Sequence, residues 1–388
     1  MSDATVQLAG EVMDKRYLDL AARCALRASG HAEPNPLVGC VIVKDGRVIG
    51  VGHHRRFGAA HAEVEAISNA RLRGEDVRGA TVYVTLEPCN SWGRNPPCSD
   101  ALVAAQVREV VYAAADPNPM KAGGALRLRE AGISARLSDA SALARAISQP
   151  FIKRVTTGLP WVIAKWAQTI DGRVATRTGE SKWISGVWAR QRVHQMRSRV
   201  DAMLTGIGTV LADDPMLNAR VMHGPRRVAK RVVADTGLEI PLECQLVRTA
   251  REMPTIVACE RSMASGTYTA KKRAALDQAG VEIMPIADEG IGGGLNLREL
   301  LSSLARDHCV ATVMVESGPG LLGSLFEADL VDEAVVYIAP MLLADEQARS
   351  AAVGRVAEKL SNARQFQLCR VKALDGDVEI TYRRVRGA

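Results

Sequence analysis

His61 and Glu63, with Cys89 and Cys98 further along the chain, are residues whose types and spacing could do chemistry together. One imidazole and two thiols make a borderline-to-soft donor set suited to zinc, and three protein donors leave the fourth tetrahedral position open to water. A structural zinc would take four protein ligands, and no further Cys or His has suitable spacing. His53 and His54 lie beyond a Phe-Gly loop and are expected to face solvent or substrate. Glu63, two residues past His61, could carry a proton to and from a reacting centre. The combination predicts metal-assisted hydrolysis.

A His-x-Glu element followed by a Pro-Cys element is the pattern of zinc-dependent nucleobase deaminases, in which the Glu is general acid/base and not a ligand. The elements around these residues must bring them together. Helical character over 61–73 puts His61 and Glu63 in a first turn, where they approach one point from different sides beside the positive end of the helix. A strand over 81–86 delivers Glu87-Pro88-Cys89 to a sheet edge, and Cys98 precedes a helix over 100–106. Upstream, Tyr17, Leu20, Ala21, Cys24, Ala25 and Ala28 recur at helical spacing over 14–29. Pro34-Asn35-Pro36 then sets a rigid extended loop, and Asp45-Gly46 turns strands 38–44 and 48–52 into a hairpin. Downstream, strand 107–114, helix 125–131, strand 133–137 and helix 142–154 continue the alternation, which predicts an α/β layer with a partly parallel sheet.

The chain has 388 residues, enough for two domains, and its 47% apolar and 24% charged residues are ordinary for a globular protein. A net charge of +7 suits nucleic acid, a membrane surface or anionic small ligands. No Lys/Arg run interleaved with aromatics occurs, which favours small ligands and argues against nucleic acid. No apolar run approaches the roughly 18 residues of a membrane span, and residues 1–10 have no signal-peptide core, so a cytoplasmic protein is expected. Of 8 cysteines, Cys24, Cys40, Cys244, Cys259, Cys309 and Cys369 read as small buried hydrophobes, leaving Cys89 and Cys98 for metal.

Gly158 and Pro160 punctuate the end of the helical pattern, dividing the chain into domains 1–157 and 158–388. The second also alternates. Strands are expected over 161–167, 202–206, 231–234, 255–259, 281–286, 311–315 and 335–338, with helices over 187–200, 268–279 and 297–307 and a hairpin at Asp375-Gly376. Gly318, Gly320 and Gly323 match G-x-G-x-x-G between a strand and a short helix reaching 328, so backbone N–H groups there could cradle phosphates. An NAD site would place an acid roughly 20 residues on, where this chain reads Ile338-Ala339-Pro340. The missing acid argues against an ordinary NAD site.

Several stretches carry a family resemblance. Glu33-Pro34-Asn35-Pro36, Val38-Gly39-Cys40-Val41-Ile42-Val43, His61-Ala62-Glu63-Val64, Tyr83-Val84-Thr85-Leu86-Glu87-Pro88-Cys89, Pro96-Pro97-Cys98 and Asp116-Pro117-Asn118-Pro119 resemble the bifunctional deaminase/reductase of riboflavin biosynthesis. The eight residues between Cys89 and Cys98 fit that family better than a Cys-x-x-Cys. Ala164-Lys165, Asp171-Gly172-Arg173, Gly179-Glu180-Ser181, Trp183-Ile184, Thr209-Val210-Leu211-Ala212-Asp213-Asp214-Pro215 and Val315-Glu316 with Gly318-Pro319 resemble its reductase half, so the likeness spans nearly the whole chain.

The resemblance implies a cytidine-deaminase-like α/β/α zinc domain followed by a dihydrofolate-reductase-like α/β domain that uses NADPH. The first would deaminate a phosphorylated ribosylamino-pyrimidine, and the second would reduce its ribosyl group to ribityl. Carried over position by position, Ala167, Trp183, Thr209, Asp213, Thr236 and Gly318, Pro319, Gly320, Leu321, Leu322, Gly323 and Ser324 would line the cofactor site. Asn35 and Arg94 would hold substrate in the first domain, and Ser181, Arg197, Leu217, Arg220 and Glu316 in the second, the arginines facing phosphate. Lys165 would steer the sugar carbon during hydride transfer. A homo-oligomer would be usual for the family. The chain departs at Asn90-Ser91-Trp92-Gly93, where many members carry Ser-His-His-Gly; Trp92 could stack on a ring or close over a core. Two other readings stand beside this one: a zinc deaminase of another nucleobase or RNA with a non-catalytic second domain, and a zinc-stabilised interaction protein, which leaves Glu63 without purpose.

Overall fold

Strands and helices alternate along the whole chain in a computed structural model that describes residues 3–93, 95–222, 224–288, 294–354 and 357–386, with side chains from residue 8 onward. The chain divides into two compact units, Met1–Gly158 and Leu159–Ala388.

The first unit runs α1 Asp3–Ala25, β1 Gly39–Lys44, β2 Arg47–His53, α2 Ala62–Leu72, β3 Thr81–Val84, α3 Cys98–Ala104, β4 Glu109–Tyr112, α4 Gly124–Glu130, β5 Ser134–Leu137 and α5 Ala142–Thr157. Its sheet has the order β2-β1-β3-β4-β5. The hairpin β1-β2 and the pair β1-β3 are antiparallel, and β3-β4-β5 are parallel. Because strand side chains alternate between faces, Cys40, Ile42, Val82 and Val84 pack under α2, α3 and α4, while Val41, Val43 and Tyr83 pack under α1 and α5. The result is a three-layer α/β/α sandwich. The helix expected from residue 14 begins at Asp3: good helix formers continue the spiral upstream, but Leu8 and Val12 on those turns stay exposed, so the apolar period carries no mark of them.

In the second unit β6 Trp161–Gln168, β7 Arg173–Ala175, α6 Val187–Arg197, β8 Ala202–Gly206, α7 Ile207–Asp213, β9 Lys230–Ala234, α8 Gln245–Arg248, β10 Thr255–Glu260, α9 Arg261–Ser265, α10 Ala270–Ala279, β11 Val281–Ile286, α11 Leu297–Asp307, β12 Thr312–Val315, α12 Pro319–Glu327, β13 Glu333–Ile338, β14 Arg349–Ser350, β15 Phe366–Leu374 and β16 Asp377–Arg384 follow. A nine-stranded sheet has the order β11-β10-β9-β8-β12-β6-β13-β16-β15, parallel from β11 to β13 and closed by the antiparallel hairpin β15-β16. Val162, Ala164, Val313 and Val315 face α11 and α12; Met314 faces the layer containing α6, α7, α8 and α10. No helix among the described residues is long and apolar enough to cross a membrane.

One expectation fails here, and one of the two readings of Trp92 is excluded. Cys309 and Cys369 are exposed, not buried: Cys309 follows the end of α11 in a left-handed conformation, and Cys369 lies on the edge strand β15, most of whose residues face solvent. Trp92, 74% exposed, closes over no core.

Candidate functional site

His61 is the N-cap of α2, and Cys98 is the first residue of α3. Two glycines of β2 fix where α2 lies. A Cβ on Gly52 would come within 2.3 Å of Ala62 O and 2.4 Å of Ala66 N, and one on Gly50 within 2.5 Å of Ala66 O. Only a bare backbone lets the helix lie this close. Cys89 is held from the other side, because Glu87 Oε1 accepts Ala125 N–H at 3.0 Å and Oε2 accepts Asp116 N–H at 3.3 Å. Glu87 thus ties the Pro88-Cys89 turn to the start of α4, a role the sequence shows only as a motif letter.

Within this frame His61 Nδ1 lies 3.2 Å from Cys98 Sγ and 3.5 Å from Cys89 Sγ, and all three donors fall within 4.8 Å of one another. Two sulfurs and one imidazole nitrogen converging on a single point fit zinc. A hydrogen bond from Cys98, with help from His61, brings the Cys89 thiol well below the usual thiol range, and the same contact pushes Cys98 up, so the pair favours a first thiolate at Cys89. Glu63 is buried in the first turn of α2, and burial, reinforced by the charge of Cys89, raises its carboxyl to about 7.

His54 is buried against this cluster, with its ring edge-on to His61 at 5.5 Å, which excludes the solvent-facing one of its two expected positions. Its Nδ1 lies 3.1 Å from Ala60 O, which can only accept, so Nδ1 carries the proton. Nε2 is then free to accept Asn35 Nδ2–H at 3.0 Å. Burial lowers the His54 pKa, which favours this neutral tautomer. Asn35 therefore stands at the site with its amide orientation fixed by His54. Arg94 lies outside the described residues.

In the second unit a cleft of about 1220 Å³ opens at the carboxyl ends of β6, β8, β9 and β12, where the strand order reverses. Lys165, Ala167, Ser181, Trp183, Arg197, Thr209, Asp213, Leu217, Arg220, Thr236, Glu316, Gly318, Pro319, Gly320, Leu321, Leu322 and Ser324 line it. Gly323 is not among the lining residues. A Cβ there would lie 1.6 Å from Val353 O, so the third glycine of the motif serves packing. Pro319 occupies the first turn of α12 and has no N–H to offer a phosphate, while Gly318 N–H already donates to Thr209 Oγ1 at 3.0 Å.

At the other side of the cleft Glu316 accepts Arg197 Nε–H at 2.6 Å and Nη2–H at 3.0 Å, and Lys165 Nζ lies 3.5 Å away. Burial alone would raise the Glu316 carboxyl, but Arg197 and Lys165 outweigh it and bring it down to about 2. Arg197 is thereby turned to Glu316. Arg220 is exposed and reaches His194 Nε2 at 3.3 Å, which leaves it the freer of the two arginines. Asp213 pairs with Lys182 at 3.2 Å, and Trp183 carries the Arg190 guanidinium 4.7 Å from its ring centre. Lys182, Arg190 and His194 line the cleft without having been singled out in the sequence; their partners lie tens of residues away or across a loop, so no local spacing marks them.

Residues 12–114 match the cytidine and deoxycytidylate deaminase zinc-binding region, and residues 160–380 match the RibD C-terminal domain. The riboflavin biosynthesis protein RibD of Escherichia coli K12 is 38% identical over 368 residues, covering 95% of this chain and 98% of that protein. The solved structure of Acinetobacter baumannii RibD, form 1, has a TM-score of 0.80 at 36% identity and covers 97% of this chain and 100% of that one. A Thermotoga maritima diaminohydroxyphosphoribosylaminopyrimidine deaminase/5-amino-6-(5-phosphoribosylamino)uracil reductase has a TM-score of 0.79 at 30% identity, with 97% and 100% covered.

Proposed function

The chain belongs to the RibD family of bifunctional riboflavin-biosynthesis enzymes, and from that premise we propose which of its residues perform the two reactions. It is a zinc-dependent deaminase and an NADPH-dependent reductase. The first substrate is 2,5-diamino-6-ribosylamino-4(3H)-pyrimidinone 5′-phosphate, and the second step turns the ribosyl group of the deaminated product into ribityl. We assign the work to a reducing cytoplasm, which keeps Cys89 and Cys98 as thiols.

His61, Cys89 and Cys98 hold zinc, which when bound supplies the Lewis acidity that makes water nucleophilic near neutral pH. Glu63 does the proton work. A carboxyl poised at about 7 takes a proton from the attacking water and returns it to the departing amine, so the C–O bond forms, the C–N bond breaks, the water oxygen stays as the ring carbonyl and the amine leaves as ammonia. Asn35, its Nδ2 given to His54, keeps Oδ1 as an acceptor for the pyrimidine edge. Arg94 is retained as a phosphate contact.

In the second unit Thr209, Thr236 and the start of α12 would hold the cofactor, which when bound would supply the hydride. Hydride adds to C1′ of the ribosyl group, the C1′–O4′ bond breaks, and a proton goes to O4′. Lys165 stands where it can hold that oxygen, and Glu316 keeps the ammonium in place. Arg197 positions Glu316, and Arg220 with Ser181 faces the phosphate.

The observation that best supports this reading is the convergence of one nitrogen and two sulfurs beside a buried carboxyl in the same helical turn. Glu63→Gln is expected to retain one zinc per chain and to release ammonia about 10²- to 10⁴-fold more slowly. Unimpaired ammonia release by the zinc-loaded variant would remove Glu63 from the mechanism.

A further inference from the structure

Lys121 lies between β4 and α4, half-buried, and faces the loop that joins the two thiol ligands. Its carbonyl accepts Asn90 N–H at 2.9 Å, and its Nζ lies 2.9 Å from where a Cβ on Gly93 would sit, so the ammonium rests against that loop. Asn90, which Lys121 holds through the backbone, directly follows the ligand Cys89, so the ammonium lies beside the segment leaving the metal ligands. Nearby carboxylates are already engaged by backbone N–H groups: Asp116 Oδ1 by Asn118, and Glu87 by Asp116 and Ala125. Among the described residues Lys121 Nζ has no hydrogen-bond or ion-pair partner. In the same loop Ser91 Oγ is buried and also lacks a hydrogen-bond partner among the described residues. A cation resting against this loop and a hydroxyl within it, both without partners among the described residues, are donors that await an anion.

We propose that Lys121 is a specificity-determining residue of the deaminase site, its ammonium taking the phosphate of the ribosylamino-pyrimidine with Ser91 Oγ–H as a second donor. The inference rests on the deaminase reading and adds to it a residue outside the motifs. It also accounts for the departure at Ser91-Trp92, because positive charge that these two positions do not carry is supplied from across the loop.

The test uses the full-length, metal-loaded protein with Lys121→Met and Lys121→Arg. For the phosphorylated substrate, Lys121→Met is expected to raise KM about 10- to 100-fold with kcat within about twofold, and Lys121→Arg to recover most of the loss. For the same substrate without its phosphate, wild type and Lys121→Met are expected to share one KM. With cobalt in place of zinc, the visible spectrum reports ligand binding at the deaminase site alone. Titration with the deaminated, phosphorylated product should show the midpoint shifted by the same factor in Lys121→Met. An unchanged midpoint, or an equal loss for phosphorylated and dephosphorylated ligands, would overturn the assignment. Absence of ammonia release in the wild-type control would instead defeat the deaminase reading, so the two failures are distinguishable.

Discussion

Arg197 and Lys165 share one carboxylate in the second unit, and the consequence can be measured. The Glu316 carboxyl is held at about 2 against an ordinary value of 4.5, so folding favours its ionised form. A carboxyl depressed in the folded state contributes stability above its unfolded pKa and loses it as pH falls toward its folded one. Glu316 should therefore stabilise the protein fully above about pH 4.5, and the contribution, on the order of 3 kcal/mol, should fade between about 4.5 and 2. Denaturant unfolding of wild type and Glu316→Gln across that range is expected to show a gap that narrows on acidification; a constant gap would mean that the ion pairs do not set the carboxyl's pKa. At this scale the sequence was legible where chemistry demands a residue type. His61, Cys89 and Cys98 could be found because only a few side chains ligate zinc, and Glu63 because a proton shuttle must lie close to them. The tautomer of His54 could not, because it comes from Asn35 and Ala60 gripping both ring nitrogens, nor could the bond from Arg197 to Glu316, because the two lie 119 residues apart in the chain.

Secondary elements hold these groups by close approach. The N-terminus of α2 carries His61 and Glu63, and Gly52 of β2 lies so near that a methyl group would meet the backbone of Ala62 and Ala66. Gly52→Ala is expected to push α2 from the sheet, costing about 1–3 kcal/mol and weakening zinc retention. Thermal unfolding and metal content read both effects, and unaltered values for each would contradict the close-approach account. Most elements were legible because the strands are short apolar runs between turn signals and helices such as α11 have a clear apolar stripe with an Asn296 cap. The exceptions have physical causes. α7 is a single short helix over Ile207–Asp213 with a glycine and β-branched residues, a stretch of weak intrinsic propensity that sits directly after β8. β7 and β14 pair across a long separation over only two or three residues, too short to leave a period.

Across the whole molecule, two units built from the same α/β alternation perform unlike chemistry, because one gathers its side chains at helix N-termini and the other at the carboxyl ends of parallel strands. The motif G-x-G-x-x-G shows how far pattern alone carries: Gly318 and Gly320 line the cleft, whereas Gly323 answers to Val353, so the same letters line a cleft at one end and serve packing at the other. The central claim is that one chain hydrolyses an amine with metal-dependent residues of Met1–Gly158 and then reduces the product with residues of Leu159–Ala388. The most direct measurement follows ammonia and NADPH together in one tube, with the phosphorylated diaminopyrimidinone as substrate, before and after zinc is stripped by chelation. The account predicts about one ammonia and one NADPH per substrate with zinc, neither after stripping, and undiminished NADPH consumption by the stripped protein when the deaminated intermediate is added. Ammonia release that survives complete zinc removal, or NADPH consumption from the intermediate that is lost with the metal, would contradict it.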